Sequence, residues 1–458
     1  MNMFSRLHAR MGDLWWYTLL LFAVQRFGDA INLFVGLWLV PKYVPQNELG
    51  AVMPLSQFVS FIGIPLAIVA IPFMKFLGEY AARGEMGKVK ALLRDVFLGT
   101  GAMAVLTLLL AWVAMPFVFE RLRVQIGSLG ILIVGVSILG AVSNIFQNAV
   151  QGLKLFQATI WFGVLSAPLR LVLMLVTMPF RALSGYFVGQ SAGPSVMVLG
   201  SLWALRGRLG ASVKAQPYLR EDWRRIWRYT WPIALYMAFS TLFLSVDQLI
   251  IRHRLSEFDS AGYYVISRFA DIANYLGGTL VLFLFPLVAN PSLGDGDARR
   301  VLRQSVFGSL IGGLAIALAL LAGGHWLLGL SGQWRVYQKC AFEMFVLACC
   351  NAVSVTNACF ITHEIARGRF RFLCFFLPIL SFKMVFSYAL TGYTFFTGFV
   401  PQSWIDAVAS FNPNRLGVVL GLYLAFQILL LASLLFGGAL RSSGTGRGDG
   451  TAREGGGL

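Results

Sequence analysis

The first apolar stretch, Leu14 to Val40, reads LWWYTLLLFAVQRFGDAINLFVGLWLV and constrains everything that follows it. At about 100° per residue, Gln25, Arg26, Asp29 and Asn32 fall within an arc of about 120°, and the rest of the helix surface is apolar. A charged residue at a bilayer centre costs roughly 2.5–3.5 kcal/mol, whereas each Leu, Ile, Phe or Val returns only about 0.3–0.6 kcal/mol. Insertion of such a helix is close to break-even, so its wet stripe must face other helices or a water-filled cavity. Two readings of Arg26 and Asp29 follow: a functional site, or a self-neutralising i, i+3 pair that only stitches helices together.

The rest of the chain is of the same kind. Of its 458 residues 57% are hydrophobic and 12% charged, about half the charge of a soluble protein, and the mean hydropathy is +0.72. The expectation is an all-α polytopic membrane protein. Its cysteines, Cys340, Cys349, Cys350, Cys359 and Cys374, lie in or beside apolar segments, odd in number and without a CxxC pair, so neither disulfides nor zinc are expected. His8, His253, His325 and His363 are scattered, and no metal cluster is readable. The formal charge of +17 would suit nucleic acid in a soluble chain, but here its distribution points to a membrane and no nucleic-acid partner. Met1 to Asp13 is a short basic flank with no small-residue cleavage site after it, as expected for a retained first span.

Runs of about 20 largely apolar residues number about twelve. Their approximate limits are 14–40, 49–73, 96–119, 126–150, 156–178, 183–205, 229–251, 260–289, 304–329, 340–361, 372–396 and 416–437. The connections on the side of the N-terminus carry 24 of the 37 Lys and Arg residues, and those on the other side carry 9. Both termini are therefore expected in the cytoplasm. Four basic residues, Arg26, Arg170, Arg268 and Lys383, fall inside spans, as do four acidic ones, Asp29, Asp247, Asp271 and Glu343. In the loop after the sixth span, Trp223, Ile226, Trp227 and Trp231 share a face beside Arg224, Arg225 and Arg228, as in an interfacial helix contacting membrane lipids. The Gly- and Ser-rich tail, 437–458, is expected to be a disordered cytoplasmic extension.

A repeat is visible in Pro41 to Phe58 and Arg252 to Phe269, each joining two spans through a polar turn ending in glycine, Gly50 and Gly262. Six spans separate them, an even number that preserves orientation, so two six-helix lobes are expected, 1–215 and 216–436. A second match has another meaning. QRFGDAIN from Gln25 and SRFADIAN from Ser267 both hold Arg, Phe, Asp and Asn at one spacing, but on spans running in opposite directions. The match is either coincidence or two similar polar faces, one per lobe, lining one cavity.

Pro41 to Asp95 resembles the polysaccharide transporters, of O-antigen flippase type, in the multidrug/oligosaccharidyl-lipid/polysaccharide (MOP) exporter superfamily. The resemblance rests on the first helix, the turn ending near Gly50, the second helix, and the cytoplasmic GEYAARGEMGKVKALLRD with Glu79, Ala82, Gly84 and Glu85. In the second half it rests on DQLIIRHRL, AGYYVISRF and the Phe285-Pro286 pair. Many relatives have an arginine near the end of the second span, where this chain has Lys75. The resemblance implies a twelve-helix, two-lobed, MATE-like fold that moves a polyprenyl-diphosphate-linked oligosaccharide across the bacterial inner membrane by alternating access, beside other polysaccharide-assembly proteins and without hydrolysing nucleotide.

Such a flippase must lower the cost of drawing a diphosphate through hydrocarbon, which cationic groups in a wet cavity do by charge-assisted hydrogen bonds. The candidate substrate-binding residues are Arg26, Asp29, Asn32, Arg268, Asp271, Asn274 and Lys383, with Asp247 as an ion-coupling or gating residue. No catalytic residue and no cofactor is expected beyond a coupling proton or sodium ion. Arg170, about eight residues from a span end, is expected to snorkel to the interface. Two alternatives stay open: a cation-coupled multidrug exporter of the same superfamily, and a membrane glycosyltransferase or polymerase. The latter would need clustered acidic groups on a sizeable outer loop, and Glu48, Glu120, Glu257, Asp259 and Asp406 are widely separated.

Overall fold

The computed structural model describes residues 20, 22–122, 127–153, 155–208, 216, 220–288, 294–390 and 415–442. Among these residues all regular structure is helical. The first helix, α1 (22–43), contains a π-helical turn at Val35–Leu39, and a short helical turn Gln46–Leu49 follows it. Then come α2 (Val52–Ala67), α3 (Ala70–Ala82), α4 (Met86–Leu122) and α5 (Gly127–Gly152). Two helices, α6 (156–181) and α7 (183–208), follow within Phe156–Arg208 and are separated only by Ala182. The second part of the chain holds α8 (Arg220–Arg254), α9 (Glu257–Val288), α10 (Asp295–Gly329), α11 (Ala341–Ala366), α12 (Leu373–Leu390) and α13 (Arg415–Ser442).

Among the described residues seven segments are long and apolar enough to cross a membrane, from Gln46–Leu66 to Val419–Phe436, and the chain is a multi-pass membrane protein. One of them, Gln157–Arg206, cannot be a single rod, because 50 residues of helix would reach about 75 Å against a hydrocarbon core of about 30 Å. At Ala182 the backbone turns to φ 40° and ψ −114° and the chain folds back on itself. The hydroxyl of Thr177 donates to the carbonyl of Gly185 at 2.8 Å, Gly189 abuts Met174, and the Phe162 and Trp203 rings meet edge to face with centroids 6.4 Å apart. Helices α6 and α7 are therefore an antiparallel hairpin with almost no loop.

Packing sorts the helices into two groups, α2, α5, α6 and α7 in the first, and α9, α10, α11 and α13 in the second, with α8 against both α12 and α2. With no hydrophobic drive between helices in lipid, close approach through small residues takes over. A Cβ added at Gly313 of α10 would stand 2.5 Å from the Cβ of Ala352 on α11. The α11 segment is the most enclosed, 67% of its apolar window being buried against 17% for α4, whose Leu108, Leu109, Leu110 and Trp112 face outward.

At one end of the bundle the two groups are sealed together. Arg252 Nη2 donates to the carbonyl of Asn47 at 3.0 Å, the Ser260 hydroxyl to that of Gly50 at 3.0 Å, and Trp334 Nε1 to that of Leu37 at 3.0 Å. Gln46 Nε2 donates to the Tyr337 hydroxyl at 3.1 Å, and Trp38 and Trp334 meet edge to face. At the other end, α3 and the start of α4 meet the start of α8 through charge: Arg225 pairs with Glu79, and Lys88 Nζ lies 3.3 Å from Asp222 and 3.0 Å from Glu85. Trp223, Trp227 and Trp231 at this end of α8 are more than half exposed.

The expected tail boundary needs correction. Helix α13 continues through Gly437 and Gly438 to Ser442, because Ala439 and Leu440 behind them are strong helix formers. Residues 443–458, and residues 391–414 with Asp406, lie outside the described residues.

Candidate functional site: an arginine-lined cavity

Helices α1 and α9 run antiparallel in contact. Near the sealed end the Tyr264 hydroxyl donates to the carbonyl of Gly36 at 3.1 Å, and deeper in the bundle Arg26 Nη1 donates to the carbonyl of Tyr275. Gly36 sits in the π turn, where a Cβ would stand 2.6 Å from the Arg268 Cδ. The absence of a side chain at Gly36 is what lets the Arg268 stem lie against α1. The two arcs with the shared Arg, Phe, Asp, Asn spacing thus come together at one place.

On each arc an arginine pairs with the aspartate one turn on. Arg26 Nη2 is 2.9 Å from Asp29 Oδ2, and Arg268 Nη2 is 3.3 Å from Asp271 Oδ2. Behind Asp271, its Oδ1 accepts from Asn274 at 3.4 Å and from Asn351 on α11 at 3.5 Å. These pairs hold the guanidinium groups in place, and each arginine keeps donors to spare.

A third arginine completes the site. Arg170 on α6 donates through Nη2 to Asn32 Oδ1 and through Nη1 to Gln190 Oε1 at 3.5 Å, and Gln190 donates to the Tyr186 hydroxyl at 2.7 Å. The snorkelling expected of Arg170 is therefore corrected: its side chain turns inward because α7 folds back beside it and offers Gln190. Position in the span alone gave no sign of this, since a partner on the next span is visible only once it is known which faces of the two helices meet.

The four helices enclose a cavity of about 220 Å³ lined by Asn32, Val35, Gly36, Arg170, Tyr186, Gln190, Tyr264, Arg268 and Tyr275. The Nε atoms of Arg26, Arg170 and Arg268 are buried and have no hydrogen-bond partner among the described residues. Arg170 and Arg268 line the cavity, and Arg26 stands behind its lining residue Tyr275; with Asp29 and Asp271 paired to Arg26 and Arg268, the site keeps an excess of one positive charge, with amide and phenol groups around it. Such a lining suits a polyvalent oxyanion, which accepts the forked guanidinium donors in pairs.

Lys383 is placed elsewhere, which corrects its expected position beside the arginines. It is fully buried on α12, with Nζ 2.6 Å from Asp247 Oδ2 and 2.7 Å from the carbonyl of Phe243, both on α8. Asp247 claims it because a buried ammonium requires a counter-ion close by. Among the described residues no group of three or more His, Cys, Asp or Glu is placed to hold a metal.

Searches with the sequence match no family model and no curated protein. Solved structures do match over nearly the whole chain. A multidrug resistance MATE family transporter of the MOP superfamily in an inward-facing conformation superposes with a TM-score of 0.65 at 12% identity, covering 94% of this chain and all of that one. The Vibrio cholerae MATE transporter VcmN gives 0.64 at 15% identity, over 93% and 94% of the two chains. The chain has the fold of the MATE transporters. A Pyrococcus furiosus MOP superfamily transporter, described by a reverse polarity of its binding pocket that suggests a different function, matches at 0.55 and 14% identity over 95% and 98%.

Proposed function

We propose that the protein is a flippase that moves a polyprenyl-diphosphate-linked oligosaccharide across the bacterial inner membrane. The observation that carries the reading is the cavity lined by Arg170 and Arg268, with Arg26 bonded to the carbonyl of its lining residue Tyr275, and with a buried Nε on each arginine that has no hydrogen-bond partner among the described residues. In this reading the chain forms twelve passes in two six-helix lobes, 1–215 and 216–436, with both termini in the cytoplasm. The sealed end formed by Asn47, Gly50, Ser260 and Trp334 then faces outward, and the cavity is reached from the cytoplasmic side, where the lipid-linked sugar is made.

The arginines take the diphosphate, Gln190, Asn32 and the tyrosines meet sugar hydroxyls, and the prenyl tail stays in lipid. Alternating access follows when the sealed end parts and the opposite end closes. Proteins that assemble the polysaccharide are the natural neighbours. The multidrug-exporter reading has its own support, since a structural relative is a multidrug resistance transporter and the lining residues Tyr186, Tyr264 and Tyr275 could face a cationic drug. The excess of guanidinium favours the anion.

Liposomes bearing a fluorescent polyprenyl-diphosphate sugar, read by access of an external quencher, separate the two. Transbilayer movement lost in Arg26→Ala, Arg170→Ala and Arg268→Ala at matched folding supports the flippase. Absence of movement together with ion-driven efflux of a cationic dye overturns it.

A further inference from the structure

At the end of the bundle opposite the seal lies a second cavity, of about 230 Å³, that shares no residue with the arginine site. Phe73 of α3, Val96 and Gly99 of α4, and Trp223 and Trp227 of α8 are among its walls. Pro65 and Pro72, which flank the break between α2 and α3, line it too. Its few polar groups are already engaged. The Thr100 hydroxyl donates to the carbonyl of Val96 at 2.6 Å, that of Thr230 to Ile226 at 2.8 Å, and Asp95 Oδ1 accepts from Arg94 Nε at 2.9 Å. A water needs two to four polar partners, which this lining does not offer, whereas apolar cavities of about 150 Å³ already take up benzene. The fitting occupant is hydrocarbon.

The rim of the cavity says what that hydrocarbon is attached to. At about 100° per residue, Trp223, Ile226, Trp227 and Thr230 share the arc of α8 that faces the cavity, Trp231 comes next, and Arg224 and Arg228 follow it on the outer side. Trp227 and Trp231 stack with ring centres 6.2 Å apart and are more than half exposed, as indoles at a membrane interface are. Arg225 turns away to Glu79. Arg224 and Arg228 are exposed one turn apart and form no ion pair among the described residues. Two such guanidinium groups beside a dry slot complement a phosphate that carries an acyl chain.

We propose that this cavity is a binding site for one anionic phospholipid of the leaflet at that end, its acyl chain in the slot and its headgroup on Arg224 and Arg228. The chain fills the gap between α8 and the helices of the first group, and so adds to the ties that Arg225 makes with Glu79 and Lys88 with Asp222. Gly99 keeps the slot open: a Cβ there meets nothing within 4 Å, and a longer side chain would occupy the volume that the lipid needs.

The site does not depend on the flippase reading, and its test uses no transported substrate, so either can fail alone. Protein released from nanodiscs that hold equal amounts of phosphatidylglycerol and phosphatidylcholine with the same chains would be weighed by native mass spectrometry. The expected result is one retained lipid with an anionic-over-neutral ratio of roughly 30, about fivefold for each interfacial arginine. The double variant Arg224→Gln, Arg228→Gln should bring that ratio close to one. Gly99→Leu should lose the retained lipid of either kind, while Gly101→Leu, equally open but outside the lining, should keep it. A wild type without preference for phosphatidylglycerol, a double variant that keeps the preference, or a Gly99→Leu protein that retains lipid as wild type does overturns the proposal. Displacement of the phospholipid by an equal amount of polyprenyl phosphate also overturns it, by making the slot a path for a prenyl tail.

Discussion

Gly50 is the position where the sealed end tolerates least. A Cβ there would stand 2.7 Å from the Ser260 Cβ and 2.9 Å from its carbonyl carbon, so Gly50→Ala forces the turn before α2 away from α9. Overpacking of this kind costs about 1–3 kcal/mol. The displaced Gly50 carbonyl also loses the Ser260 hydroxyl, a further loss of about 0.5–1.5 kcal/mol. Because the contact joins the two groups of helices, the penalty falls on the closed arrangement. At about 1.4 kcal/mol per tenfold change, the closed-to-open ratio should drop roughly tenfold or more. Electron–electron distance measurements between labels at Lys42 and Gln333, in lipid nanodiscs, would read that ratio directly. An unchanged distance distribution, in a variant that is folded, would refute the reasoning that Gly50 is a load point of the seal.

Four other expectations follow from the same coordinates. Ala182→Gly should raise the thermal midpoint by relieving a backbone conformation worth about 1–2 kcal/mol of strain, and a lowered midpoint would count against the tight hairpin. Asp247→Asn alone should lower stability by about 3–5 kcal/mol by leaving a buried ammonium without its counter-ion, whereas adding Lys383→Met should recover most of it, as measured by thermal or denaturant unfolding. Gly36→Val should cut movement of the diphosphate lipid by pushing the Arg268 stem out of the cavity, while Gly278→Ala, which meets nothing within 4 Å, should leave it unchanged. At the other end, acceptance by Glu85 and then by Asp222 raises the pKa of Lys88, so its contribution to stability is fully present below about 10.5 and is lost as pH rises past the folded value. Unfolding of wild type and Lys88→Met should therefore differ by a constant amount between about pH 6 and pH 9 and converge only in strong alkali.

The polar faces on α1 and α9 were legible because charge inside an apolar run is conspicuous, and because Arg26 and Arg268 stand in near-identical surroundings. What the pattern left open was whether those faces meet, a question of tertiary contact between residues more than 200 positions apart. Arg170 was misread for a different reason: distance from a span end is a one-dimensional measure, and it does not say which way the side chain turns toward the next helix. Lys383 and Asp247 were both noticed, but as separate candidates, because nothing local in α8 or α12 announces a partner 136 residues away. The reversal between α6 and α7, by contrast, falls where the sequence separates the spans 156–178 and 183–205.

That tight reversal has a mechanical result. Thr177 and Gly185 tie the hairpin at its bend, and Gly189 against Met174 closes it along its length, so α6 and α7 form one stiff panel. Arg170 comes from one leaf of that panel, and Tyr186 and Gln190 from the other, yet the three are joined to one another. Whatever swings the panel carries a cation and its amide neighbour together, and the wall it presents to a ligand keeps its pattern of donors and acceptors while its position changes.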